Sequence, residues 1–114
     1  MKRLIKAFGN SFAGLAVAWR EEQAFRQECL LVCLGAVLLA VLDLSVGIKI
    51  GLAFSLGLIL IAELINTAIE KVVDRIGTEY NELSKHAKDI GSAIVMMTIG
   101  LVIALWVAVL VFVI

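Results

Sequence analysis

Three long apolar runs alternate along the chain with short clusters of charge. They cover Cys29 to Leu42, Ile50 to Ala62 and Ile90 to Ile114. The last holds 25 residues without a charge. At about 1.5 Å of rise per residue, a helix of that length crosses the roughly 30 Å hydrocarbon core of a bilayer. The first two runs are short alone. Helical extension through Glu28, through Asp43 to Val46, and through Glu63 to Ile76 brings both to spanning length. The pattern predicts transmembrane helices over residues 27–46, 48–76 and 88–114, with a polar loop over 77–86. Gly77 is placed to end the second helix, and Glu82 to Asp89 can already open the third.

Ahead of these runs lies MKRLIKAFGNSFAGLAVAW. Leu4, Phe8, Ser11, Phe12, Leu15 and Trp19 recur at helical spacing, with Lys2, Arg3, Lys6 and Asn10 largely on another side. An amphipathic helix over residues 1–25 is expected, lying in the membrane interface with Trp19 at headgroup depth. A basic start, an apolar middle and the AVA triplet imitate a cleavable leader. Gly9, Asn10 and Ser11 interrupt the apolar region such a leader requires, so the helix is expected to be retained.

Composition enlarges the picture. A hydrophobic share of 62% and a mean hydropathy of +1.07, with no proline, exceed what a soluble domain of 114 residues can bury. The expectation is one all-α membrane domain. Three helices make a thin bundle for the polar groups they carry, so self-association is expected. Gly47 and Gly51, then Gly100, Ala104 and Ala108, stand at four-residue intervals that could let helices approach closely. Cys29 and Cys33 are four apart in the first span, neither a metal-site nor a redox spacing, and read as packing residues.

Charge sets the orientation. Of ten basic residues, Lys2, Arg3, Lys6, Arg20 and Arg26 precede or open the first span, and Lys71, Arg75, Lys85 and Lys88 flank the link from second to third. Lys49 alone falls on the other side. The positive-inside rule then assigns the N-terminus and the 77–86 loop to the cytoplasm. A net charge of zero, with acidic residues beside the basic ones, argues against nucleic acid as a partner.

Candidate chemistry lies where the second apolar run turns polar, in ELINTAIEKVVD (residues 63–74). On a helix, Asn66, Glu70, Asp74 and Thr67 fall at roughly −60°, −20°, +20° and +40° from Glu63. Ile65, Ile69, Val72 and Ile76 take the opposite side. Hydrogen bonding between helices accounts for an Asn or a Thr at such depth. It accounts poorly for two carboxylates, which are costly there and usually functional. Carboxylates at a membrane surface, with Lys88 and Arg3 available, suit a divalent metal and a polyphosphate, since Mg²⁺ binds through one or two carboxylates plus phosphates. Glu63, the deepest of the row, is placed to take a proton from a lipid hydroxyl. No GxxxxGK[ST] phosphate loop is present.

The stretch AELINTAIEKVVDRIGTEYNELSKHAKDIGSA closely resembles the signature of the bacterial integral-membrane diacylglycerol kinases, and AWREEQAFRQE is similar to their proteobacterial branch. That resemblance implies a homotrimer in the bacterial inner membrane, with sites at the cytoplasmic face. It also implies transfer of the γ-phosphate of MgATP to sn-1,2-diacylglycerol. By motif position it makes Glu63 the general base, helped by Asn66, and Glu22 and Glu70 the carriers of the ATP-bound Mg²⁺. Arg3, Asn10, Glu79, Tyr80, Asn81, Lys88 and Asp89, together with Glu22 and Glu70, would contact nucleotide. Trp19, Ala24, Phe25, Arg26, Gln27, Glu28 and Ser92 would border the lipid beside Glu63. Asn10 departs from the family pattern, where an aromatic residue is expected.

Plainer roles stand beside these. Lys88 and Asp89 adjoin a span, where a snorkelling Lys and a helix-start Asp need no function. Tyr80 and Trp106 suit membrane anchoring, His86, Glu79 and Glu82 loop solvation, and Glu21 surface charge. Nothing in its local spacing selects Glu22 over Glu21. Two alternatives stay open: a related undecaprenol kinase, and a non-enzymatic helical membrane subunit or holin-like pore former.

Overall fold

The computed structural model covers residues 1–114 and consists of four helices, α1 (Lys2–Glu21), α2 (Gln23–Val41), α3 (Val46–Ile76) and α4 (Glu82–Phe112). The last three are each long and apolar enough to cross a membrane. Their ends differ from the expected bounds for local chemical reasons. α2 stops at Val41, before residue 46, and Leu42 is extended at φ −74° and ψ 143°. Asp and Ser, here Asp43 and Ser45, favour turns and caps over helix interiors. Ser45 caps α3, its Oγ accepting from the Ile48 N–H at 3.4 Å. α4 starts at Glu82, before residue 88, because Asn81 Oδ1 accepts from the N–H groups of Leu83 and Ser84 at 3.0 and 3.1 Å. Those are donors that a helix start otherwise leaves unpaired. The polar link is thus residues 77–81.

The N-terminal helix ends at Glu21 rather than at residue 25. Glu22 stands alone between α1 and α2, extended at φ −114° and ψ 105°, while its N–H still donates to the Ala18 carbonyl at 2.9 Å. The Arg26 guanidinium reaches back to donate to the carbonyls of Trp19 and Arg20 at 2.6 and 3.2 Å. A cation there satisfies terminal carbonyls and offsets the negative end of the helix dipole.

α3 is the central element, packed against both α2 and α4. Leu56, Ile59 and Val102 form the core, with Val32, Ile99 and Trp106 against them. Trp106 Nε1 donates to Ser55 Oγ at 3.0 Å, and that hydroxyl donates to the Leu52 carbonyl at 2.5 Å. A polar pair in an apolar layer is thereby satisfied on both members.

Close helix approach occurs at glycines other than those the four-residue intervals suggested. Gly47, Gly51 and Gly100 have open space where a Cβ would stand. Gly35 on α2 instead receives the Leu56 side chain, whose Cδ1 lies 2.6 Å from that position, and Gly91 on α4 receives Asn66. Only 13 of 114 residues are buried, so most of the apolar surface of these helices faces outward.

Candidate active site at the charged end of the bundle

The end of α3, the start of α4 and the α1–α2 break meet at one end of the molecule. Two ion pairs mark the meeting. Lys71 Nζ lies 2.9 Å from Glu21 Oε1, and Lys88 Nζ lies 2.7 Å from Asp74 Oδ1. The Lys71 ammonium, by hydrogen bond and by charge, holds the Glu21 carboxyl below its usual range.

The polar stripe of α3 descends from this end into the bundle. Asp74 is exposed, Glu70 and Asn66 are half-buried, and Thr67 and Glu63 are buried, Glu63 to 7% exposure. A carboxylate that far from solvent needs partners. Asn66 Nδ2 donates to Glu70 Oε1 at 3.4 Å, which orients the carboxamide along the stripe. Glu28 of α2 faces the Glu63 carboxyl. Glu22 and Glu70 lie within electrostatic reach of the same Glu63 carboxyl. One oxygen of Glu28 (Oε2) and the Asn66 carboxamide oxygen are buried without a donor.

Carboxylates from the α1–α2 break, α2 and α3 therefore converge, with Lys71 near Glu22 and Lys88 near Glu70 at the rim. No three acidic, His or Cys groups close into a preformed metal cage. Such a donor set fits a Mg²⁺ that keeps most of its waters and arrives with phosphates, rather than an all-protein site.

Beside this centre, the α3–α4 link encloses a polar cleft of about 350 Å³ lined by Gly77, Glu79, Tyr80, Asn81, Lys88 and Asp89. Five of the residues expected at the nucleotide are thus brought together. Each carries a second engagement or none: Asn81 caps α4, Lys88 is paired with Asp74, Asp89 with Lys85 at 2.6 Å, and Tyr80 stands free. The Glu79 carboxylate occupies the space a Cβ at Gly77 would need, its oxygens 2.6 and 2.7 Å from that position. Arg3 and Asn10 are exposed on α1 and do not line this cleft.

The residues expected at the lipid divide. Trp19, Ala24, Gln27 and Ser92 face outward. Phe25 is buried and serves packing, and Arg26 is committed to the α1 carbonyls. Glu28 alone of this set joins Glu63. A second cleft, of about 510 Å³, opens between α1 and α3, with Ser11, Leu15, Ala18, Leu64, Thr67 and Lys71 on its walls. Neither the Glu21–Lys71 pair nor the cap at Asn81 was anticipated. The first joins residues 50 apart, beyond any local spacing. The second had a signal in Asn81 preceding ELS, a helix-start composition.

Three membrane-spanning helices with a carboxylate row brought to one end define a multi-span membrane protein carrying an acidic site. The model of the family described as prokaryotic diacylglycerol kinase matches residues 9–110, and the chain belongs to that family. It is 47% identical over 104 residues to the diacylglycerol kinase of Escherichia coli K12, covering 91% of this chain and 85% of the relative. Identity to the diacylglycerol kinase of Pseudomonas aeruginosa is 42% over 113 residues, covering 96% and 89%. For that of Haemophilus influenzae it is 43% over 112 residues, covering 98% and 95%.

Proposed function

We propose that this protein is a lipid kinase that moves the γ-phosphate of MgATP to the free hydroxyl of sn-1,2-diacylglycerol, giving phosphatidic acid. The observation that carries the reading is the buried Glu63 carboxyl, faced by Glu28 and flanked by Asn66 and Glu70 next to a polar cleft. The lipid hydroxyl oxygen forms a bond to the γ-phosphorus as the bond from that phosphorus to the β-bridging oxygen breaks, and ADP leaves. Glu63 takes the hydroxyl proton, a role that requires reach from the polar end into the apolar layer. Asn66, aligned by Glu70, orients that carboxyl or the hydroxyl. Glu22 and Glu70 would hold the Mg²⁺, which when bound neutralises charge on the phosphates. Glu79, Tyr80, Asn81, Lys88 and Asp89 hold the nucleotide in the loop cleft, and Trp19, Ala24, Gln27, Glu28 and Ser92 border the lipid.

The charge asymmetry supports a cytoplasmic placement of this end in a bacterial inner membrane, with the N-terminus inside. A homotrimer is supported by the outward-facing apolar surface of the helices. It would also let Arg3 and Asn10 of one protomer serve a cleft on another. The amphipathic spacing of α1 supports its seat in the interface.

The test is a lipid panel assayed with radiolabelled ATP in detergent micelles, offering diacylglycerol, undecaprenol and ceramide. Label in phosphatidic acid is the expected result. Transfer to undecaprenol alone would move the substrate class to polyprenols. No transfer to any lipid would return the chain to a non-enzymatic role.

A further inference from the structure

Glu22 occupies a one-residue break, so its direction follows from how α1 ends rather than from a helix of its own. α1 is held lightly. Among its 20 residues only Ala18 is buried, and the cleft of about 510 Å³ separates its inner face from α3. A single ion pair crosses that gap, Lys71 Nζ to Glu21 Oε1 at 2.9 Å.

We propose that the Glu21–Lys71 pair is a clamp that aims Glu22, making Glu21 and Lys71 positioning residues for metal binding. The proposal rests on Glu22 as a carrier of the metal. Both partners are about half exposed, so the pair contributes little to fold stability. Its leverage is directional. Arg26 ties the end of α1 to α2, and the contact adjacent to Glu22 ties it to α3, which fixes how that carboxylate faces Glu63 and Glu70.

The sign of the effect separates a clamp from plain electrostatics. Lys71 also lies within electrostatic reach of Glu22. A positive charge there opposes a cation at Glu22, so its removal by charge alone would tighten metal binding. Release of a clamp weakens it instead. Glu21→Gln cannot distinguish the two, because both predict weakening, so the deciding variant is Lys71→Met.

The experiment titrates Mn²⁺ as a Mg²⁺ substitute into the full-length protein in micelles with a non-hydrolysable ATP analogue, reading free Mn²⁺ by its EPR signal. Lys71→Met is expected to weaken Mn²⁺ binding about three- to fivefold, the range an exposed pair can supply. The exchange Glu21→Lys with Lys71→Glu, which conserves local charge and restores the contact, should return the affinity to within about twofold of the parent. Lys71→Arg, which keeps the pair, gives the same readout if the exchange variant does not fold. Tighter or unchanged binding in Lys71→Met overturns the clamp. Glu22→Gln serves as the internal control. Should it leave Mn²⁺ affinity unchanged, Glu22 is not a metal carrier and the clamp falls with it. Weakening there without weakening in Lys71→Met removes the clamp alone.

Discussion

Gly91 of α4 presents a bare α-carbon to the carboxamide oxygen of Asn66 on α3. A Cβ at Gly91 would collide with that oxygen and touch Ile69 Cδ1 at 3.4 Å. Gly91 is buried, so the added methyl would point into the helix contact rather than into solvent. Gly91→Ala is therefore expected to push Asn66 off the Glu70 oxygen and to destabilise the protein by about 1–3 kcal/mol, the usual range for overpacking. Turnover should fall as well. Adding Asn66→Ala to Gly91→Ala should recover the lost stability without recovering turnover, since the collision disappears but the carboxamide does too. Thermal unfolding in detergent and the kinase assay on the same samples check this. An alanine variant with parental values in both would mean that α4 relaxes away.

Glu63→Gln is expected to reduce phosphoryl transfer by ~10² to 10⁴-fold, the usual cost of losing a positioned base. Glutamine keeps the shape and can still hydrogen-bond, so the fold and the particle size should survive. Helix glue at this position predicts the reverse: a lower unfolding temperature with near-normal turnover per intact particle. Turnover measured beside size-exclusion mass separates them. More than about a third of parental turnover in an intact particle would be incompatible with a base at Glu63.

Glu70→Gln removes a charge while keeping an oxygen for Asn66 Nδ2. The loss should show mainly as a raised requirement for Mg²⁺ and MgATP, partly restored when both are increased. Initial rates over a grid of the two concentrations provide the check. An apparent MgATP affinity equal to the parent's would exclude Glu70 from metal binding.

The α3–α4 link is expected to face the cytoplasm. Thr78 is exposed and makes no side-chain hydrogen bond, unlike the capping Asn81, so it is the better reporter. In a background with Cys29 and Cys33 replaced by alanine, Thr78→Cys should resist impermeant thiol reagents in intact cells and react after lysis. Labelling from outside would invert the topology.

The spans were legible because lipid leaves a helix no other way to satisfy its backbone, so apolar length alone marks them. The stripe from Glu63 to Asp74 was legible for the same reason: helical periodicity puts its members on one face whatever surrounds them. Helix ends were harder. The first apolar run continues to Leu42, yet Ser45 caps the next helix, and one side-chain hydrogen bond outweighs the hydropathy of the residues around it. Small-residue intervals indicate where helices can touch, not where they do. Gly35 and Gly91 make the contacts because Leu56 and Asn66 lie opposite them, and that depends on the facing helix. Glu22 was visible by resemblance alone. Its convergence on Glu63 arises from a backbone break that no periodicity encodes.

That break makes length the unforgiving variable in this region. Between Glu21 and Gln23 the chain has one residue in which to change direction. A residue added in helical conformation just ahead of that break would turn the preceding helix by about 100° relative to the following one. α2 is fixed by its packing on α3, so the rotation would fall on α1. Trp19 and the apolar side of α1 would turn with it, and Glu21 would leave Lys71. The segment from Trp19 to Phe25 works as a ruler, and a one-residue insertion there would do more damage than most substitutions within it.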